Sequence, residues 1–263
     1  MIDLAIIISS CNKYSSLWQP NIECIKRNWI GEIPDIYIIT DFPTDQIIEG
    51  AKVLAFEGNV PQRLKSASSS LNYRYFLVSL DDYFLIDKVL FNDMSFFVDL
   101  SSKNMFHYLQ LYDRRQKKKK TKRVFDVKSI NLKKDYAVCL YPAIWEKSFL
   151  EYCTSFNCSP WEFEPKLTKL ALNYGARCFY AEKRCFEILD VIRKGKLLHK
   201  ARRYLKKHKI DIGEWEVVPV SQELKLFFMD RFTWYAPKFL YNFAKWIAHK
   251  FGKKFYSDSK DEI

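Results

Sequence analysis

Two carboxylates stand side by side at Asp81-Asp82, directly after the apolar run Tyr75-Phe-Leu-Val-Ser-Leu80. Adjacent acids in such a place have two chemical uses: they hold a hard cation such as Mg²⁺ or Mn²⁺, or they orient sugar hydroxyls. A third reading is local, because Asp is a favoured helix N-cap and the chain turns away after Asp82 into Phe84, Leu85 and Ile86. A second pair of acids, Glu162 and Glu164, lies in Cys158-Ser-Pro-Trp-Glu-Phe-Glu-Pro165. Ser159 and Pro160 fit an N-cap followed by a first helical residue. That puts both acids in an opening turn, where they complement the helix dipole.

Positioning such groups takes a scaffold, and the apolar pattern supplies one. Residues 75–80 read as a buried strand, and open α/β sheets with helices on both faces leave a crevice at the carboxyl ends of their strands. Residues 3–9 and 35–40 read as further strands, the second ending in Asp41, and residues 52–56 as a third. Helices are expected over 15–29, with Pro20 in the first turn, from 59 towards 72, and over 87–100. Residues 105–111 and 136–140 read as strands, 141–152 as a helix, and 176–180 as a strand after Gly175. The expected class is α/β, a mostly parallel mixed sheet flanked by helices.

Composition narrows the chemistry. The 263 residues are 48% hydrophobic and 17% aromatic, enough for a sizeable core, with only the polar tail after Tyr256 reading as disordered. Seven glycines include no G-x-x-x-x-G-K-[ST] and no G-x-G-x-x-G, which disfavours a P-loop enzyme or a dinucleotide dehydrogenase. Seven cysteines form no C-x-x-C pair, and four scattered histidines make no metal pattern. No signal segment or membrane span is expected, so the chain is placed in the cytoplasm.

The net charge of +12 is unevenly distributed. Residues 113–134 hold 11 basic and 2 acidic side chains and residues 191–256 hold 16 and 5, so the remainder is acidic overall. The run Asp113-Arg-Arg-Gln-Lys-Lys-Lys-Lys-Thr-Lys-Arg123 is too charged to pack; it reads as a hairpin tip or as a flap attracted to phosphates. A nucleic-acid arm is disfavoured because no binding module accompanies it. Beyond Gly213 the chain becomes aromatic and basic. After Pro237, Phe239, Leu240, Phe243, Trp246, Ile247 and Phe251 share one helical face, which fits an amphipathic interfacial anchor or a helix packed on the body.

The strand ending in Leu80-Asp-Asp-Tyr-Phe-Leu85 resembles the variant Asp-x-Asp motif of bacterial GT-A glycosyltransferases that build surface polysaccharide such as capsule and lipopolysaccharide. Ser10-Cys-Asn-Lys-Tyr-Ser-Ser-Leu-Trp18 resembles the loop after the first strand in that group, and Pro160-Trp-Glu-Phe-Glu164 its acidic helix start. The similarity covers roughly residues 1–200, and Tyr83 stands where the commoner pattern has a second, spaced Asp.

The resemblance implies a GT-A-like, Rossmann-like catalytic domain over 1–215 with a C-terminal amphipathic helical appendage over 216–263. It implies a nucleotide-sugar donor, a glycan or lipid-linked acceptor, and a divalent metal (Mn²⁺ or Mg²⁺) on Asp82 and Asp81. The basic C-terminal segment would hold the protein peripherally on the anionic inner face of the cytoplasmic membrane, with no nucleic-acid partner. Ser10 and Tyr14 would approach the nucleotide, although Tyr14 and Trp18 read as readily as core of the following helix. Asp41 would approach the base or ribose, although a turn-initiating Asp before Phe42-Pro43 explains it nearly as well. Arg63 would reach the diphosphate, unless it simply faces solvent. Lys196, beside Gly195 in a basic loop, would close over it as charge develops. Glu164 lies eleven residues before Gly175, as the final acid does in the helix of inverting enzymes, so the resemblance makes it the general base. Glu162 becomes a hydroxyl binder or helix-start acid. The segment Pro142-Ala-Ile-Trp145 resembles one that lines the acceptor side, against a plain core role for Trp145.

Overall fold

The computed structural model describes residues 2–112, 126–134, 136–156, 158, 160–182, 185–235, 243, 246 and 250. The basic run at 113–123 and most of the expected helix after Pro237 lie outside them. The chain forms two compact units, Met1–Leu189 and Asp190–Ile263. The change of composition at 215/216 falls inside the second.

The first unit grows from β1 (Leu4–Ser9), whose six residues are all buried because the strand has neighbours on both sides and cover on both faces. A 3₁₀ helix, Asn12–Leu17, leads into α1 (Trp18–Asn28), which tolerates Pro20 in its first turn. After the two-residue β2 (Trp29–Ile30) come β3 (Ile36–Thr40) and β4 (Lys52–Ala55). α2 (Val60–Ser70) starts at a capping box in which Asn59 and Gln62 satisfy each other's backbone amides. β5 (Tyr75–Leu80) pairs in parallel with β1, Leu4 opposite Tyr75 and Ser9 opposite Leu80.

Past the acid pair the chain stays extended. Asp81 and Asp82 form a turn into β6 (Tyr83–Leu85), followed by β7 (Val89–Leu90) and α3 (Phe91–Asn104). Neither acid is therefore a helix cap, and the helix expected from 87 starts at Phe91. β8 (Tyr108–Gln110) and β9 (Val127–Ser129) follow. The segment 136–140 forms no strand among its described residues. The expected helix over 141–152 is instead β10 (Ala143–Glu146) and then α4 (Lys147–Cys153), capped by the Glu146 carboxylate on the Phe149 amide at 3.0 Å. A short apolar run fits either period, and here Ala143-Ile144-Trp145 is claimed by an antiparallel slot between β5 and β8.

α5 (Pro160–Tyr174) ends where Gly175 adopts φ +70°. The Ala176 amide donates to Ala171 and the Gly175 amide to Leu172, a Schellman closure that turns the chain into β11 (Cys178–Ala181). The main sheet runs β4-β3-β1-β5-β10-β8-β11-β9, with β10 and β9 antiparallel to their neighbours. One apolar core lies on each face. Ile6, Ile8, Tyr75 and Leu77 point into the first, and Ile7, Phe76 and Val78 into the second with Phe163 and Leu167 of α5. β12 (Ile188–Asp190) pairs with β6.

The second unit opens with a hairpin of β13 (Ile192–Arg193) and β14 (Lys196–Leu197). Its two turn residues, Lys194 and Gly195, both have positive φ, as the tight primed turn requires. α6 (His199–His208) and α7 (Val220–Tyr235) follow.

Candidate functional site

The carboxyl ends of β1, β3 and β5 bring together most of the residues singled out by sequence. The Trp18 indole donates to Ser10 Oγ at 2.6 Å, and Ser10 Oγ donates in turn to Asp81 Oδ2 through a short hydrogen bond. The Asp81 main chain is fixed as well: its amide donates to Ser9 at 3.2 Å and its carbonyl accepts the Asn21 side-chain amide at 2.9 Å. Asp81 is 8% exposed. Burial pushes its carboxyl up to about 6 against the counteracting pull of Ser10, the neighbouring amides and Arg63. Asp82, half-buried in the same turn, is the less enclosed of the pair. The two acids thus differ in environment: Asp81 is held in a buried network, and Asp82 is half-buried beside it.

Arg63 is not a surface residue. It is 6% exposed, one turn into α2, and its guanidinium donates to the carbonyls of Ser10 and Gly58, both at 3.0 Å. Its charge acts on the site by stabilising the Asp41 and Asp81 carboxylates. Asp41 accepts the Asn12 amide at 2.8 Å, and Thr40 Oγ1 donates to Asn12 Oδ1 at 2.5 Å. Burial raises the Asp41 carboxyl, but the Asn12 and Asp41 amides, Thr40 and Arg63 outweigh it and hold the group below the usual range. Tyr14 lies within the 3₁₀ helix, its phenol pushed up by burial and then by the charges of Asp81, Cys11 and Asp82, which places it beside the acid pair.

The second pair of acids reaches the same edge of the sheet by another route. Because β10 runs backwards, with Ala143 opposite Val78 and Gln110, the residues just before it sit over the carboxyl ends of β5 and β8. There Glu164 Oε1 accepts the Leu140 amide at 3.1 Å. The Asn59 side chain, at the start of α2, donates to the Cys158 carbonyl at 2.8 Å and ties the approach to α5 to the helix that carries Arg63. Glu162 and Glu164, both half-buried, flank the buried Phe163. Next to Leu140, Tyr141 packs on Tyr83 and Tyr112, with ring centroids 5.8 and 5.5 Å apart. Trp145, by contrast, is 1% exposed and stacked on Phe149, so it is core and meets no sugar.

Lys196 belongs to the second unit, in β14, where it pairs with Glu216. Among the described residues no group of three His, Cys, Asp or Glu side chains could hold a metal ion. Two consecutive carboxylates nevertheless suit a hard cation that takes its remaining ligands from substrate phosphates and water. A groove of about 460 Å³ lined by Lys26, Pro34, Asp35 and Lys52 opens at the opposite, amino ends of β3 and β4, away from every acid of interest. Sequence reasoning passed over Asn12, Asn21 and Thr40 and read Trp18 as core. Their signal was only their place within, or opposite, the loop after β1.

No family model and no curated protein matches the chain. Among solved structures, S. aureus TarS 1-349 in complex with UDP-GlcNAc superposes with a TM-score of 0.51 at 12% identity, over 75% of this chain and 60% of that one. The fold is GT-A-like. S. aureus TarS 1-349 superposes with a TM-score of 0.47 at 12% identity, over 71% of this chain and 59% of that one. In open α/β sheets ligands bind in the crevice at the carboxyl ends of the strands; Asp41, Asp81 and Asp82 follow β3 and β5 there, and Glu164 is held by the amide of Leu140, shortly before β10.

Proposed function

We propose that the protein is a nucleotide-sugar-dependent glycosyltransferase of GT-A type, inverting, that adds a sugar to a glycan or lipid-linked acceptor in surface-polysaccharide synthesis while bound peripherally to a membrane. The observation that supports the reading is the position of Asp81-Asp82 at the carboxyl end of β5 in a GT-A-like sheet, with Glu164 held by the amide of Leu140, shortly before the strand that pairs with β5. A UDP-GlcNAc complex of a similarly folded protein supports the choice of donor class.

Glu164 is the base. Held at Oε1 by Leu140, it takes the proton of the acceptor hydroxyl as that oxygen attacks the anomeric carbon. The bond to the nucleoside diphosphate breaks and the diphosphate leaves with the electron pair. One carboxylate suffices because the donor carries its own leaving group, whereas glycosidases commonly need two straddling the bond. A divalent cation, held by Asp82 with Asp81 and the donor phosphates, would neutralise the developing charge. Asp81, Ser10 and Trp18 fix the turn that presents Asp82, Asp41 and Tyr14 address the nucleoside, and Glu162 binds an acceptor hydroxyl.

Transfer from UDP-, GDP-, dTDP- and CMP-sugars, with and without Mn²⁺, tests this. Asp82→Ala and Glu164→Gln are each expected to lose about 100-fold or more in kcat. Near-full activity in either variant removes that residue's role. Donor binding without any turnover would make the protein a nucleotide-sugar-binding scaffold instead.

A further inference from the structure

The second unit contains a surface that the transfer chemistry does not use. From Val191 to Ile210 the sequence has nine Lys or Arg residues and no acid. Within and just after α6, Lys200, Arg202, Arg203, Lys206, Lys207 and Lys209 are all exposed, while Ala201 and Leu205 are buried. At 100° per residue those six cations cover one whole side of the helix. A solvated helix face ordinarily mixes signs, and six like charges on one side repel each other unless an anionic partner offsets them.

α7 presents the complement. Val220, Leu224, Phe227, Phe228, Met229 and Phe232 are each between 44% and 65% exposed. Further on, Phe243 and Trp246 are exposed and stacked at 5.9 Å, with Lys250 Nζ 4.0 Å from the Trp246 ring. The two helices share a root. His199, first residue of α6, meets the Val218 carbonyl at 2.9 Å and faces Glu223 of α7, and Leu197 exchanges backbone hydrogen bonds with Glu216 and Val218. Large exposed apolar side chains on α7, interrupted by the exposed Lys225, in the same unit as a helix that carries, with Lys209 just after it, six exposed cations and no acid, call for a partner that is anionic and apolar at once.

We propose that the second unit is a docking surface for an anionic phospholipid bilayer, α6 contacting the headgroups and α7 entering the acyl boundary. This rests on the reading of the protein as membrane-bound, and it moves the electrostatic contact to α6, ahead of the C-terminal segment. A soluble polyanion, whether glycan or nucleic acid, would satisfy α6 but leave Phe227 and Phe228 in water.

The test is flotation of the full chain with phosphatidylcholine vesicles and with vesicles containing about a third phosphatidylglycerol, the anionic lipid on which the attraction depends. The wild type should partition onto the anionic vesicles alone, and less at high salt. Each cation near the surface contributes roughly fivefold, so Arg202→Glu/Arg203→Glu/Lys206→Glu should lose about 100-fold or more. The neutral Arg202→Gln/Arg203→Gln/Lys206→Gln should lose less, and Phe227→Ser/Phe228→Ser should also weaken binding while its circular dichroism stays native. Equal binding to both vesicle types, or none, overturns the proposal. So does capture on heparin that the phenylalanine changes leave untouched, which would assign the surface to a soluble polyanion. Flotation needs no donor, so its failure leaves transfer to a soluble acceptor intact and is distinguishable from failure of the transferase reading.

Discussion

Ser10, Trp18 and Asp81 show how one hydroxyl can set the state of a carboxylate. Ser10 accepts from the indole and directs its only proton at Asp81, which favours the ionised form, while burial favours the protonated one and prevails. The folded-state value, about 6, lies above that of a free Asp, about 3.9. The neutral acid therefore favours folding fully below pH ~4, and that contribution is lost as pH rises through about 6, a cost of order 3 kcal/mol by linkage. Asp81→Asn keeps the shape and removes the titration. Its Tm relative to wild type is expected to improve from pH 4 to pH 7, and a constant difference would show that Asp81 does not titrate there. On the proposed mechanism the pair acts ionised, so transfer activity is expected to rise through the same interval.

At the scale of elements, the site depends on how two helices begin. Asn59 caps α2 through its oxygen and holds Cys158, two residues before α5, through its nitrogen. Asn59→Ala should cost about 1–2 kcal/mol, the usual value of a lost N-cap, seen as a lower midpoint in urea. Because the α5 approach is released as well, it should also raise the acceptor KM more than a cap change elsewhere would. An unchanged KM would separate the cap from the site. β10 supplies the other half of the geometry: had 143–146 continued as the helix its apolar residues suggest, the Leu140 amide would not lie over β5 and β8 to receive Glu164.

At the scale of the whole molecule, charge is unevenly placed. The first unit carries the strand-end acids and Glu164 as well as the basic stretch 113–134, and the second carries a cationic helix and an exposed apolar one. A cation site made from two adjacent carboxylates is incomplete without the donor's phosphates. Mn²⁺ alone should therefore move Tm little, a matching nucleotide sugar alone modestly, and the two together clearly more than their sum, by mass-action linkage. Additive shifts in thermal denaturation would argue against a shared site.

Much of this was legible in the chain. Short apolar runs bounded by polar residues, such as Leu4–Ser9 and Tyr75–Leu80, fit inner strands buried on both faces, and their repetition along the chain made the α/β class and the place of Asp81-Asp82 at a strand end legible from local pattern. Gly175 likewise marked the end of α5, because the left-handed conformation there favours glycine. Tertiary structure alone decided the rest. It turned Ala143–Glu146 into a strand, buried Arg63 under Ser10, and joined Trp18, Asn12 and Thr40 to the acids. These outcomes depend on partners far away in sequence: a four-residue apolar run has no intrinsic period, and a hydrogen bond across 53 or 71 positions has no local signature.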